Sequence, residues 1–98
     1  MIASFGDQAT SDLYNGIRSA RVRRFPPDLA AASFRKLDML NGASSLQDLR
    51  SPPGNRLEAL AGRLRGFHSI RVNDQWRVVF RWSEGRAHEV RVLDYHKG

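Results

Sequence analysis

The sequence predicts an α+β fold, with helices gathered in the first half and hairpin-linked strands in the second. Two observations carry this reading. Before residue 50, apolar residues recur at helical spacing between helix-start and helix-stop signals. After residue 66, three runs rich in β-branched and aromatic side chains are separated by turn residues. Helices followed by antiparallel strands are the pattern of the α+β class. The 98-residue chain is sized for one domain over residues 1–98, burying roughly 60–70% of its unfolded surface.

In order, Ile2 to Phe5 alternates enough for a strand. Asp7 to Asn15 reads as a short helix, capped by Asp7 and stopped by Gly16. Arg18, Arg21, Arg23 and Arg24 form a basic connector. Pro26-Pro27-Asp28 starts a second helix, since proline suits a first turn where its missing N–H costs nothing. Ala30, Phe34, Leu37 and Leu40 follow at helical spacing, and Asn41-Gly42 ends the element. Leu46 and Leu49 suggest one more turn before the rigid break Ser51-Pro52-Pro53-Gly54. Arg56 to Leu60 is a weak strand; Phe67 to Val72, Gln75 to Trp82 and Ala87 to Asp94 are stronger ones.

Parity sorts the strands into two faces. Trp76, Val78, Phe80 and Trp82 point one way, towards the helices; Arg77, Val79 and Arg81 point the other. A three-residue loop, Asn73-Asp74-Gln75, pairs Trp76 with Val72 and Val78 with Ile70, leaving Arg77 opposite Arg71. A two-residue loop would mix the faces, and a one-residue slip inverts every side chain. For the next hairpin, a Ser83-Glu84-Gly85 loop pairs Val78 with Val90 and Trp76 with Val92. Arg77 then lies opposite Arg91, with Tyr95 on the same face. Arginines directly opposite one another repel unless an anion or solvent lies over them. The expectation is a concave face lined by Arg71, Arg77 and Arg91, or a solvated face partly neutralised by Glu89 and Asp94.

Composition limits the function classes. There are no cysteines, which excludes disulfide scaffolds, thiolate metal sites and cysteine nucleophiles. Three scattered histidines without close acidic partners do not match usual ligand spacing, so neither metal nor cofactor is expected. No apolar run reaches about 18 residues, and the N-terminus lacks the pattern of a signal peptide. The expectation is therefore a soluble cytoplasmic protein without membrane association. The net charge is +6, and fourteen of the sixteen basic residues are arginine. Residues 50–98 carry a net +5 of this. Arginine's planar fork pairs phosphate and stacks on bases, so the bias points to a polyanion partner, with an arginine-rich solvated surface as the equal alternative from composition alone.

Three segments carry a family resemblance. Leu49-Arg50-Ser51-Pro52-Pro53-Gly54-Asn55-Arg56-Leu57, Ser69-Ile70-Arg71-Val72-Asn73-Asp74-Gln75-Trp76-Arg77 and Val92-Leu93-Asp94-Tyr95-His96 together resemble the HigB-type killer toxins of the RelE/ParE toxin–antitoxin superfamily. The start Met1-Ile2-x-Ser4-Phe5 resembles that family too, whereas residues 16–27 are the least family-like part. The resemblance implies a RelE-like fold, with a curved, mainly antiparallel sheet packed on N-terminal helices. It also implies ribosome-dependent, metal-free mRNA cleavage through the neighbouring 2′-OH. A HigA-like helix-turn-helix antitoxin is the implied partner, with operator DNA reached only through it.

On this resemblance Arg77 stabilises the phosphate, a role that its place on the polar face also suits. His96 protonates the leaving oxygen, since imidazole titrates near neutrality, and Tyr95 positions the nucleotide or shares the proton transfer. Several family members carry a histidine and a lysine in the stretch matching Glu58 and Ala61. Here Ala61 can do no chemistry, and Glu58 is either the base or an ordinary carboxylate. Arg63 and Arg65 stand nearby to supply positive charge, with Arg71 and Arg91 as further phosphate contacts. The expectation is cleavage that is weaker or more ribosome-assisted. Non-catalytic occupancy of RNA or ribosome is the rival, and a gyrase-directed poison is argued against by the Tyr95-His96 ending. His68 reads as a satisfied, partly buried histidine and His88 as a Trp82-face residue without a role; Trp76 and Trp82 read as core.

Overall fold

A computed structural model describes residues 1–95. The Asp7 carboxylate accepts a hydrogen bond from the Thr10 amide at 2.8 Å and so caps helix α1 (Gln8–Tyr14). After α1 the chain turns at Gly16, in the left-handed region at φ 73°. Connector residues 22–24 form a 3₁₀ turn. Helix α2 (Pro27–Gly42) begins with proline in its first turn, as expected. Its buried stripe is Leu29, Ser33, Leu37 and Leu40 rather than the Ala30–Phe34 side of the apolar set. Phe34 lies on the flank, 42% exposed, and stacks on Tyr14 with ring centroids 5.3 Å apart. Another 3₁₀ turn, Leu46–Arg50, is closed by reciprocal bonds between Ser45 and Asp48.

Strands β1 (Glu58–Ala59), β2 (His68–Arg71), β3 (Trp76–Ser83) and β4 (Arg86–Asp94) form an antiparallel sheet in sequence order. The weak strand from Arg56 to Leu60 is realised only at Glu58 and Ala59, on the sheet's edge. Ile2 and Phe5 make isolated parallel bridges to Ala87 and Val90, along the free side of β4. The helices cover the aromatic face. Leu37, Leu40 and Leu49 pack against Ile70, Val78, Phe80, Val90 and Val92, with Trp76 and Trp82 partly buried at the margin. No helix among the described residues is long and apolar enough to cross a membrane.

The first hairpin has the expected register, with Ile70 opposite Val78 and Arg71 opposite Arg77. Asn73 fastens its loop by accepting from the amides of Gln75 and Trp76.

The second hairpin corrects the sequence reading. Ser83 pairs with Arg86, so the loop is the two residues Glu84-Gly85, both left-handed (φ 53° and 72°). Two positive-φ residues form the tight turn that best matches strand twist. The register then shifts between Val79 and Arg81, at a bulge where Glu89 is itself left-handed at φ 54°. Beyond it Val78 faces Val92, Trp76 faces Asp94, and Arg77 faces Leu93 rather than Arg91. Before it Ala87, not His88, shares the Trp82 side, and His88 stands opposite Arg81. Parity alone missed this because one extra residue inverts alternation along β4.

The bulge is held from the N-terminus. The Glu89 amide donates to Ser4 Oγ at 2.9 Å, and the Gly6 amide donates to the Val90 carbonyl at 2.7 Å. A Cβ on Gly6 would sit 2.7 Å from the Glu89 carbonyl oxygen, a backbone atom that cannot swing aside. Gly6→Ala is therefore expected to cost about 1–3 kcal/mol through overpacking, read as a lowered Tm in thermal unfolding.

Asp12, buried on α1, accepts from Gln8 at 2.8 Å and pairs with Arg21 at 3.3 Å. The Gln8 hydrogen bond chiefly, then Ser19 and the Arg21 charge, hold its carboxyl below the ordinary range against the opposing effect of burial. A depressed folded value gives stability that is present above about pH 4 and lost as pH falls through the folded value. Asp12→Asn is expected to lower Tm at neutral pH, with the gap from wild type closing below about pH 4. Thermal unfolding across pH checks this.

Candidate functional site

The register assembles the site on the sheet face turned away from the helices. Glu58, Ser69, Val79 and Arg91 form one cross-strand row, and Arg71, Arg77 and Leu93 form the next. Arg77 is the hub. Its Nη1 donates to Ser69 Oγ at 2.8 Å and to the Arg56 carbonyl at 3.3 Å, and lies 3.4 Å from Glu58 Oε1. Its guanidinium carbon stands 5.3 Å from the centre of the Tyr95 ring, within cation–π range. Only 13% of the Arg77 side chain is exposed, against 46% for Glu58. The guanidinium is thus fixed from below, and its ion-pair partner remains reachable.

The Pro-Pro-Gly-Asn segment explains why the Arg56 carbonyl points there. Arg56 is left-handed at φ 45°, following the 3₁₀ turn Pro53–Asn55. Asn55 is fully buried; its amide donates to the Leu49 carbonyl at 3.1 Å and its oxygen accepts from Lys36 Nζ on α2. Desolvation chiefly, and then the charges of Arg35 and Arg71, pull the Lys36 amine below the ordinary lysine range. The turn carrying Arg56 and Glu58 to Arg77 is therefore tied into the helical layer.

Beside Arg77 opens a cleft of about 430 Å³, lined by Ala61, Arg63, Leu64, Leu93 and Tyr95. Of the residues expected from sequence, Arg77, Glu58 and Tyr95 come together, with Arg63 on the cleft wall. Arg71 is next to Arg77 across the strands but pairs with Asp74 in the hairpin loop. Arg91 stands opposite Val79 and lines a shallower hollow with Gly6, Phe67 and Glu89. Arg65 is exposed beyond the turn Gly62–Leu64 and is not on the cleft wall. Glu89 neutralises Arg81, at 2.9 Å, while Asp94 stands opposite Trp76 rather than in the arginine row. His96 lies outside the described residues.

Ser69, the Arg56 carbonyl and the Leu64 and Leu93 walls escaped the sequence reading, whereas Ala61 was singled out there. Ser69 carried a signal, since it shares the parity of Arg71 in β2. Nothing in the sequence marks the left-handed Arg56. Among the described residues no group of three His, Asp or Glu side chains is placed to hold a metal ion. His68 corrects an expectation. Its ring packs on Phe80 with centroids 6.1 Å apart, but the buried Nδ1 has no hydrogen-bond partner among the described residues, where a satisfied histidine was expected. An unmade bond of this kind costs about 1–3 kcal/mol. His68→Phe, which keeps the ring contact, is expected to raise stability by about 1 kcal/mol, measured by denaturant unfolding.

Comparison with known proteins gives concordant results. Residues 3–96 match the family described as RelE-like toxin of type II toxin–antitoxin system HigB. Toxin HigB-1 of Vibrio cholerae serotype O1 is 43% identical over 97 residues, covering 99% of both chains. An uncharacterised protein of Haemophilus influenzae is 37% identical over 73 residues, covering 74% of this chain and 71% of that one. The fold matches two structures of the YoeB–YefM complex from Staphylococcus aureus, one of them a heterotetramer. Their TM-scores are 0.60 and 0.59, each at 14% identity over 98% of both chains.

Proposed function

This chain belongs to the HigB-like, RelE-type toxins of type II toxin–antitoxin systems, and on that premise we propose that it is a ribosome-dependent mRNA endonuclease. The supporting observation is the Arg77 hub: a nearly buried guanidinium, anchored by Ser69 and Arg56, beside an accessible carboxylate and an open cleft. In this reading the RNA 2′-oxygen attacks the neighbouring phosphorus, and Glu58 takes its proton. The new O–P bond forms as the bond to the 5′-oxygen breaks, leaving a 2′,3′-cyclic phosphate and a 5′-hydroxyl. Arg77 faces the negative charge that grows on the phosphate oxygens, where prepositioned cationic donors act most strongly. His96 returns a proton to the leaving oxygen, and Tyr95 stacks on the nucleotide. Arg63, Arg71 and Arg91 hold flanking phosphates, and Arg65 adds diffuse positive charge.

The partners proposed are the ribosome with its mRNA and a HigA-like helix-turn-helix antitoxin, all in the cytoplasm. Operator DNA is reached only through the antitoxin. The structures sharing this fold are themselves toxin–antitoxin complexes, which supports an antitoxin as a partner.

Arg77→Ala is expected to reduce cleavage by about 10²–10³-fold, and Arg77→Lys to recover only part of it, because an ammonium cannot reproduce the fork. The measurement is mapping of mRNA 5′ ends after induction, alongside co-sedimentation with ribosomes. Codon-phased ends that persist undiminished in Arg77→Ala refute the assignment of Arg77. Ribosome binding by the wild type without new ends supports inhibition by occupancy, a reading favoured by the inert Ala61 on the cleft wall.

A further inference from the structure

Connector residues 16–26 hold four arginines and no acidic residue, and the site described above uses none of them. The segment is ordered by its own bonds. The Arg23 amide donates to the Ser19 carbonyl, Arg24 to Arg21, and Phe25 to Val22 at 3.0 Å. Arg21 is spent as an anchor, pairing with the buried Asp12 at 3.3 Å. Arg18, Arg23 and Arg24 are exposed, and among the described residues no acidic side chain pairs with them. On the cleft side Arg63 likewise faces no carboxylate among the described residues, but Arg71, Arg77 and Arg81 each face one, from Asp74, Glu58 and Glu89. Any anion reaching those three must displace a partner, whereas the connector presents uncompensated charge on a preformed support. Preformed support lowers the ordering cost of binding.

The connector also sits at the relevant end of the sheet. Phe25 meets Trp76 edge-on at 5.9 Å, Trp76 directly precedes Arg77, and the Tyr95 amide is bonded to the Gln75 carbonyl at 2.7 Å. Trp76 faces the helical layer and Arg77 the opposite face, so a strand lying over Arg77 and Tyr95 meets this turn by rounding the end of the sheet. We infer that Arg18, Arg23 and Arg24 form a second RNA contact, gripping the phosphate backbone outside the cleft and setting affinity rather than the chemical step. This rests on the proposed RNA reading of the Arg77 site and extends its footprint. An acidic protein segment would also meet this charge, but RNA is favoured because all the connector's basic residues are arginine, whose planar fork pairs phosphate and stacks on bases.

The test uses the full chain and a short single-stranded RNA fully 2′-O-methylated, which 2′-OH-mediated cleavage cannot cut. The triple variant Arg18→Gln, Arg23→Gln, Arg24→Gln leaves the Arg21–Asp12 pair in place, and its Tm is measured beside the wild type. Three lost phosphate contacts are expected to flatten the slope of log affinity against log salt by about 2. Affinity at moderate salt should fall by roughly tenfold or more, with the single-turnover cleavage rate at saturating ribosome–mRNA complex unchanged. The matching triple lysine variant retains most of the salt slope, since charge is kept. An unchanged slope in the glutamine variant overturns the inference, as does a wild type that does not bind the probe. Loss of antitoxin binding alone, with RNA binding intact, overturns it too. If the wild type binds the probe yet cuts no unmodified mRNA, the endonuclease reading fails while the second contact stands.

Discussion

A single left-handed residue, Glu89, sets the chemistry of the outer sheet face. The bulge there inserts one residue into β4, so that Ala87 on one side of it and Val90 and Val92 on the other all reach the helical core. Strict alternation could not place those three together. Continued without the insertion, the register of the tight turn would set Val92 opposite Arg77; turn and insertion together place Leu93 there and Arg91 one row aside, opposite Val79. The N-terminal segment secures it, with Ser4 accepting from the Glu89 amide and Gly6 approaching too closely for any side chain. Residues from both ends of the sequence thus fix the surroundings of Arg77.

This bears on how several arginines coexist on one face. Three guanidinium groups in a row would repel at short range and favour splayed, solvated side chains. Arg71 instead turns to the hairpin loop, Arg81 folds over Phe67 towards Glu89, and Arg91 is set one row aside. Arg77 is left with a buried seat, neutral hydrogen-bond acceptors beneath it and Leu93 opposite. A nearly buried guanidinium keeps a well-defined orientation because its neighbours restrict it. That orientation is what transition-state stabilisation requires.

Much of this was legible in the sequence, and the failures have specific causes. The Asp7 cap, the Pro27 first turn and the Asn73 loop rest on local chemistry that one side chain signals by itself. The Arg71–Arg77 pairing followed because only one loop length kept the faces sorted. The second hairpin failed because Glu84 and Glu89, neither of them glycine, adopt left-handed conformations that glutamate rarely announces. The α2 stripe failed in a different way. Ser33 is buried and Phe34 exposed, which apolar spacing cannot foresee without knowing where α1 lies. Arg77, Glu58 and Tyr95 came from motif and parity together, whereas the Arg56 carbonyl and the role of Asn55 depend on backbone geometry unavailable from spacing.

The Glu58–Arg77 pair carries the proposed mechanism one step further. In the free protein each group partly neutralises the other, and Glu58 remains about half exposed. A phosphate entering the site offers Arg77 an acceptor better matched to its fork, because two oxygens can be bridged at once. Moving to that acceptor loosens its hold on Glu58 at the moment when a carboxylate is wanted near the 2′-hydroxyl. While the pair is closed, one Glu58 oxygen is held against Arg77 at 3.4 Å; once the phosphate engages the guanidinium, that oxygen is released. In the proposed mechanism, substrate binding and release of the base are then one event.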